Sequence, residues 1–226
     1  MERHFISYPK SGRTWIRYAF TLLGIANQVQ FHHDGFEFND GAKPTLKFDY
    51  EQRAKKYSAP NQVVYLSRDP MDLMVSLYYQ VTGRFVDFFE YQGDLSHFIR
   101  DDYFGAHNLH QFRLMWKRLC VEGYALHISY EDCHEDFVSV LMKLTTYYGF
   151  SISENALRQA ADESRFERMK DVEQSGEFPH PWLRPRNNSP KVRKGRAGSF
   201  ADTLSDEDIQ YLNSVFWPAP RRGTSL

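Results

Sequence analysis

Lys10, Ser11, Gly12, Arg13 and Thr14 occupy consecutive positions, after the run Phe5-Ile6-Ser7-Tyr8-Pro9 and directly before Trp15. An ammonium, a guanidinium and two hydroxyls around a glycine are groups that can hold a phosphate or a related anion. The β-branched and aromatic run reads as a strand, the glycine as a tight loop, and an amphipathic helix follows at once. A helix N-terminus offers unpaired backbone N–H groups and the positive end of its dipole. The usual nucleotide loop sets its lysine after a second glycine and before Ser or Thr. Here the lysine precedes the glycine and no Gly-x-x-x-x-Gly-Lys occurs, so this is a different anion loop.

Two further groups carry similar chemistry. Arg68 ends the apolar run Gln62-Val63-Val64-Tyr65-Leu66-Ser67, and Asp69-Pro70 opens a helix that carries Ser76. An arginine at the carboxyl end of a sheet strand points into the crevice where open α/β sheets bind ligands. The other group is Arg193-Lys194-Gly195-Arg196-Ala197-Gly198-Ser199-Phe200. Arginine gives a bidentate fork, lysine a point charge, and glycine lets the backbone approach. Both have plainer readings: Arg68 paired with Asp69 or Asp72, and a solvated basic loop.

The order Tyr-Pro-Lys-Ser-Gly-x-Thr-Trp resembles the 5′-phosphosulfate loop of the sulfotransferases, enzymes that take a sulfuryl group from 3′-phosphoadenosine 5′-phosphosulfate (PAPS). Arg68-Asp69-Pro70-Met71-Asp72 with Ser76 resembles the family's Arg-Asn-Pro-x-Asp motif and the serine that follows it. Arg193-Lys194-Gly195 resembles its Arg-Lys-Gly-x-x-Gly-Asp-Trp loop, with Ser199 and Phe200 in place of Asp-Trp. The resemblance runs in order from Phe5 to about Phe216. It implies that Lys10 stabilises the leaving phosphate oxygen, while Thr14 and the N–H groups of Ser11, Gly12, Arg13, Thr14 and Trp15 hold the phosphate. It implies that Arg68, Ser76, Arg193, Lys194 and Gly195 grip the 3′-phosphate. Weaker matches assign adenine contacts to Trp15, to Ser164 and Phe166 within Ser-Arg-Phe-Glu-Arg-Met, and to Tyr130 within Tyr-Glu-Asp. Core packing is the alternative for each. The product would be 3′-phosphoadenosine 5′-phosphate (PAP), and no metal is implied.

The acceptor must also lose a proton. Many relatives carry a histidine for this in Lys-Thr-His, some twenty residues before the motif's arginine. The corresponding stretch here is Leu46-Lys47-Phe48-Asp49, so Asp49 stands in the histidine's place. A carboxylate can serve as a general base if burial raises its pKa, and heparan-type members of the superfamily use one. His32, His33 and Asp34 compete, because their loop could face the same cleft. Arg13 replaces the family's usual threonine; it can meet an acidic acceptor or point to solvent. The acceptor stays open among small molecules, glycans and peptides. Two other readings are a nucleotide-binding protein without transfer activity and a P-loop kinase. The kinase would need a Walker lysine and a magnesium ligand, and neither occurs.

The elements that must position these residues are legible in part. A helix from Thr14 to about Ala26 has Trp15, Tyr18, Ala19, Leu22 and Leu23 on one face. Proline in a first turn starts a second helix at Pro70, with Met71, Leu73, Met74, Leu77 and Val81 as its apolar side. A helix over 107–120 precedes a third strand at 124–129, and another helix carries Phe137, Leu141 and Leu144. Ser205 caps the last helix. Residues 27–60 read as mixed and irregular. The aromatic cluster over 85–105 is helix packing or an acceptor-pocket wall. Strands alternating with helices predict an α/β fold, a single domain over 1–226 with a mostly parallel central sheet flanked by helices and a P-loop-like phosphosulfate loop. Pro179, Pro181, Pro185 and Pro190 rule out long regular structure in the basic stretch 174–199, which would close over the nucleotide.

The 226 residues suit one domain, and 42% hydrophobic content argues against disorder. A net charge of −1 argues against generic nucleic-acid binding. Cys120 and Cys133 form neither a metal spacing nor a disulfide framework, which suggests a reducing compartment. The first strand begins almost at once and no run is long enough to span a bilayer, so the expectation is a cytoplasmic protein with no membrane partner.

Overall fold

The computed structural model describes residues 1–36, 43–176, 178, 180–191 and 195–218. Four strands, β1 (Arg3–Ser7), β2 (Gln30–His32), β3 (Gln62–Ser67) and β4 (Leu126–Ser129), form one parallel sheet in the order β2-β1-β3-β4. Phe5 pairs with Phe31 and Val64, and Leu66 pairs with Ile128, so the carboxyl ends of all four strands open on one edge.

Side chains alternate across a strand, and both faces of this sheet are covered. Ile6, Val63 and Tyr65 pack into one core with Trp116, Phe112 and Leu73. Phe5, Val64 and Leu66 pack into the other with Phe20, Leu141 and Leu144. That double burial explains why these strands read as continuous apolar runs. The helices are α1 (Arg13–Leu22), α2 (Tyr50–Lys56), α3 (Pro70–Tyr79), α4 (Val86–Phe89), α5 (Leu95–Arg100), α6 (Ala106–Val121), α7 (Tyr130–Glu135), α8 (Phe137–Tyr147), α9 (Glu154–Glu163), α10 (Phe166–Ser175) and α11 (Asp206–Phe216).

Local chemistry sets several boundaries. Pro70 opens α3, and the Asp69 carboxylate accepts from the N–H groups of Met71 and Asp72. Ser129 and Asp132 form a reciprocal capping box at α7. The Ser205 hydroxyl accepts from Asp208 N–H at α11, as its sequence predicts. α1 ends at Leu22, short of Ala26, because the chain turns at Gly24 with φ +71°. The turn leads into β2, a strand the mixed composition of 27–60 conceals. Most of the 85–105 aromatics serve packing: Phe98 and Phe104 are buried and stack 5.4 Å apart. Among the described residues no helix is long and apolar enough to cross a membrane.

Candidate active site

Each of the four strands delivers a residue to one cleft of about 1540 Å³: Lys10 after β1, His33 after β2, Arg68 after β3 and Tyr130 after β4. This is the carboxyl edge of the sheet, where open α/β folds bind ligands.

The loop between β1 and α1 is shaped by two left-handed residues, Lys10 at φ +74° and Gly12 at φ +100°. A non-glycine residue held there is backbone strain of the kind that collects at functional sites. Gly12 is required by close approach as well: a Cβ would sit 2.4 Å from Tyr130 Cδ2. Gly12 also stands at the N-cap of α1, with no side chain capping the helix. The first N–H groups of α1 therefore open beside Lys10, Arg13, Thr14 and Trp15, all of which line the cleft. Ser11 is buried and does not line it.

Arg68 locks this loop to the rest of the site. Its Nη1 donates to Lys10 O at 3.0 Å, and its guanidinium lies 4.5 Å over the Tyr130 ring. Arg113 holds Arg68 from behind, donating to its carbonyl at 2.8 Å. The Nε of Arg68 is buried and finds no hydrogen-bond partner among the described residues. Neither acid offered as a plain partner reaches that Nε: Asp69 caps α3, and Asp72 forms a long ion pair with Nη2 at 4.0 Å. Asp72 instead accepts from Gly198 N–H at 2.6 Å, Phe200 N–H at 2.9 Å and the Ser199 hydroxyl at 3.2 Å. That anchors the segment after Gly195 even though Ser199-Phe200 replaces Asp-Trp.

The remaining nucleotide candidates meet at the same wall. Ser76 of α3 lines the cleft, as do Ser164 and Phe166. Gly195, at φ +62°, packs so closely on Phe166 that a Cβ would lie 1.9 Å from Cδ2. Trp15 stacks on Phe137 at 4.3 Å and stands beside His134. Arg193 and Lys194 lie outside the described residues.

Among the base candidates, the structure brings His33 to the cleft and leaves Asp49 away from it. Asp49 is exposed at the N-cap of α2, where its carboxylate accepts from Gln52 N–H at 2.9 Å, and it does not line the cleft. The count back from Arg68 fails because α2 intervenes between β2 and β3. The residue at the sheet edge is the one that follows β2. His33 is buried there, with Nδ1 2.7 Å from Ser7 O. Burial, then the charge of Arg13, holds its pKa well below the ordinary 6.5. A neutral imidazole donating from Nδ1 to a carbonyl presents Nε2 as the basic nitrogen. His32 turns the other way, 3.2 Å from His4, and burial lowers its pKa to about 4. Asp34 is engaged by Arg53 and by the Tyr57 hydroxyl at 2.6 Å.

Comparison with known proteins gives the family and the fold. Residues 4–219 match the sulfotransferase domain family. The chain belongs to the sulfotransferase family. It is 26% identical to mouse sulfotransferase 2B1 over 234 residues, covering 93% of this chain and 69% of that protein. The structure of mouse sulfotransferase SULT7A1 complexed with PAP matches with a TM-score of 0.68 at 17% identity, covering 95% of this chain and 82% of that one. Retinol dehydratase in complex with androsterone and PAP matches with a TM-score of 0.63 at 17% identity, covering 95% and 79%.

This sulfotransferase also places residues in its cleft that the sequence did not single out: Arg17, Gln80, Arg84 and His134. Gln80 and Arg84 follow α3 in a π-helical turn, Gln80–Arg84, closed by Phe85 N–H donating to Gln80 O at 2.9 Å. The register shift of such a turn leaves no compositional mark, although π-turns recur at functional sites.

Proposed function

We propose that this sulfotransferase moves a sulfuryl group from PAPS to a hydroxyl, or an amine, of an acceptor bound in the same cleft. The observation that carries the reading is the convergence of Lys10, Arg68 and His33 from three strand ends, beside an uncapped helix N-terminus. The residues fit the donor's two anionic groups. The Lys10 loop offers N–H groups and an ammonium, and Arg68 offers a buried Nε without a partner among the described residues. Trp15 and Phe166 supply aromatic surface for a base. The cleft exceeds the roughly 300–1,000 Å³ usual for one small ligand, which supports two reactants side by side.

When bound, PAPS supplies the sulfuryl group: the bond from sulfur to the 5′-phosphate oxygen breaks as the acceptor's bond to sulfur forms. Lys10 and the first N–H groups of α1 stabilise the charge that grows on the departing phosphate. His33 takes the acceptor proton on Nε2, and its depressed pKa keeps it neutral and ready at pH 7. Ser7 O holds the imidazole in the required tautomer. Two of the similar structures contain androsterone or retinol together with PAP, which supports a small-molecule acceptor.

Thermal-shift titration with PAP, AMP and ATP, followed by donor turnover with PAPS, tests the proposal. PAP should raise Tm well above the other two, because only PAP carries the 3′-phosphate for Arg68 and Ser76. Equal stabilisation by all three would overturn the donor assignment.

A further inference from the structure

The wall of the cleft beyond Ser76 carries a second group of cations. Arg84 is buried in the π-helical turn and lines the cleft. Eight residues separate it from Ser76, roughly 12 Å along a helical axis. Arg84 therefore stands further along this wall than Ser76. Its Nη1 is pinned by Arg184 O at 3.0 Å and Ser189 O at 3.2 Å. Its Nε and the Oε1 of Gln80 are buried without hydrogen-bond partners among the described residues.

Lys191 lines the same cleft and feels the charge of this guanidinium. Arg84, Arg13 and Glu173 are the charges that act on it, and Lys191 in turn acts on His33. Glu173 is partly committed elsewhere, with Oε1 accepting from the Lys191 backbone N–H and standing 3.9 Å from Arg84 Nη1. Lys191 thus feels two cations, Arg84 and Arg13, against the carboxylate of Glu173. Burial, then repulsion from Arg84 and Arg13, lowers Lys191 to about 7. Like charges held together on a cleft wall raise the local concentration of anions and set the sign of the partner.

We propose that the acceptor is an organic anion: Arg84 and Lys191 grip its carboxylate or phosphate while its hydroxyl or amine meets His33. This rests on the sulfuryl-transfer reading above. Lys191 acts on the base His33, and Arg84 stands on the wall beyond Ser76, which fits recognition of the acceptor. A neutral sterol would leave Glu173 as the carboxylate that answers both Arg84 and Lys191, and a cationic amine would add a further like charge.

The experiment uses matched acceptors that differ only in charge. One arm compares hydroxy acids with their primary amides, 4-hydroxyphenylacetate and glucuronate serving as the first pairs. A second compares glucose 6-phosphate with glucose. Binding is read by calorimetry with and without PAP, and transfer from PAPS as kcat/KM. At least one acid or phosphate should surpass its neutral partner roughly 10- to 100-fold, the usual worth of a charge-assisted contact. The arm that shows the gain identifies the anionic group. Lys191→Gln and Arg84→Gln should each erase most of that preference while PAP affinity stays within about twofold. Arg84→Lys, which keeps the charge, should retain part of it and guards against a variant that merely misfolds. No gain for any anion over its neutral partner would overturn the proposal, and so would variants that weaken PAP instead of the anion preference. If PAP itself failed to bind, the sulfuryl-transfer reading would fall. The anion preference would still be read in the nucleotide-free protein.

Discussion

The cleft wall around Lys10 and Arg68 is built from strand ends and helix starts, whereas the wall around Arg84 and Lys191 is built from long side chains on a π-helical turn and an irregular segment. On the first wall the loop follows β1, Arg68 ties its carbonyl to β3, and Tyr130 of α7 packs under Gly12. Sheet register holds all three, so the geometry is stiff. On the second wall, positions depend on how Arg184, Ser189 and Glu173 hold one guanidinium. Chemistry that tolerates little displacement stands on the sheet, and recognition stands on segments that can change without disturbing it.

That contrast is sharpest at His33, which belongs to the stiff wall yet feels the charge of Lys191 on the other. His33→Asn should lower kcat by about 10²–10⁴-fold, the range for loss of a general base. PAP affinity should stay near wild type. In the wild type, kcat at saturating acceptor should remain flat as pH falls past 6.5 and drop only well below it, because the folded pKa is depressed and protonation removes the base. A limb at or above 6.5 would show that burial does not govern this imidazole. Retained turnover in His33→Asn would remove the base assignment altogether.

Lys10 tests the stiff wall alone. Lys10→Ala should reduce kcat by about 10²–10³-fold, as loss of a preorganised donor does where charge develops. Nucleotide affinity should suffer far less, since the N–H groups of α1 and Arg68 remain. If PAP affinity fell as much as kcat, Lys10 would be binding the ground state and not the transition state.

Gly195 tests the seam between the walls. An alanine there meets Phe166 and must also adopt φ +62°. The strain should cost about 1–3 kcal/mol. If Gly195 and Phe166 close over the donor, this appears as weaker PAP binding, roughly 5- to 100-fold by calorimetry. A Tm that drops while PAP affinity holds would make the contact structural only.

The same contrast explains which parts of the site the sequence makes legible. The β1–α1 loop, Arg68 and Ser76 were legible because strand, turn and helix cap each leave a compositional mark, and the marks fall in order. β2 was not legible. It spans Gln30–His32, pairs on one side only and is half-buried or exposed, so it lacks the apolar run that marks β1 and β3. Without it, the family's histidine position falls by residue count on Asp49, whereas the residue that follows β2 and lines the cleft is His33. The Arg84–Lys191 wall escaped for another reason. Those residues are 107 positions apart and meet only through tertiary packing, while the sequence marks 174–199 as basic without saying which charges turn inward.

Asp49 gives the smallest expected effect and the cleanest check on that error. Its carboxylate caps α2 by accepting from Gln52 N–H, while its carbonyl accepts from Arg53 Nη1 at 3.1 Å. An asparagine can make the same cap, since Asn and Asp serve nearly equally at this position. Asp49→Asn should therefore change neither kcat nor stability by more than experimental scatter. Asp49→Ala loses the cap and should cost about 1 kcal/mol in denaturant unfolding, with turnover unchanged. The pair separates two roles that a single substitution would confuse. A base fails equally in both variants, because asparagine is no more basic than alanine. A cap fails only in the second, and in stability only. Loss of turnover in Asp49→Asn with His33→Asn still active would return the base to Asp49.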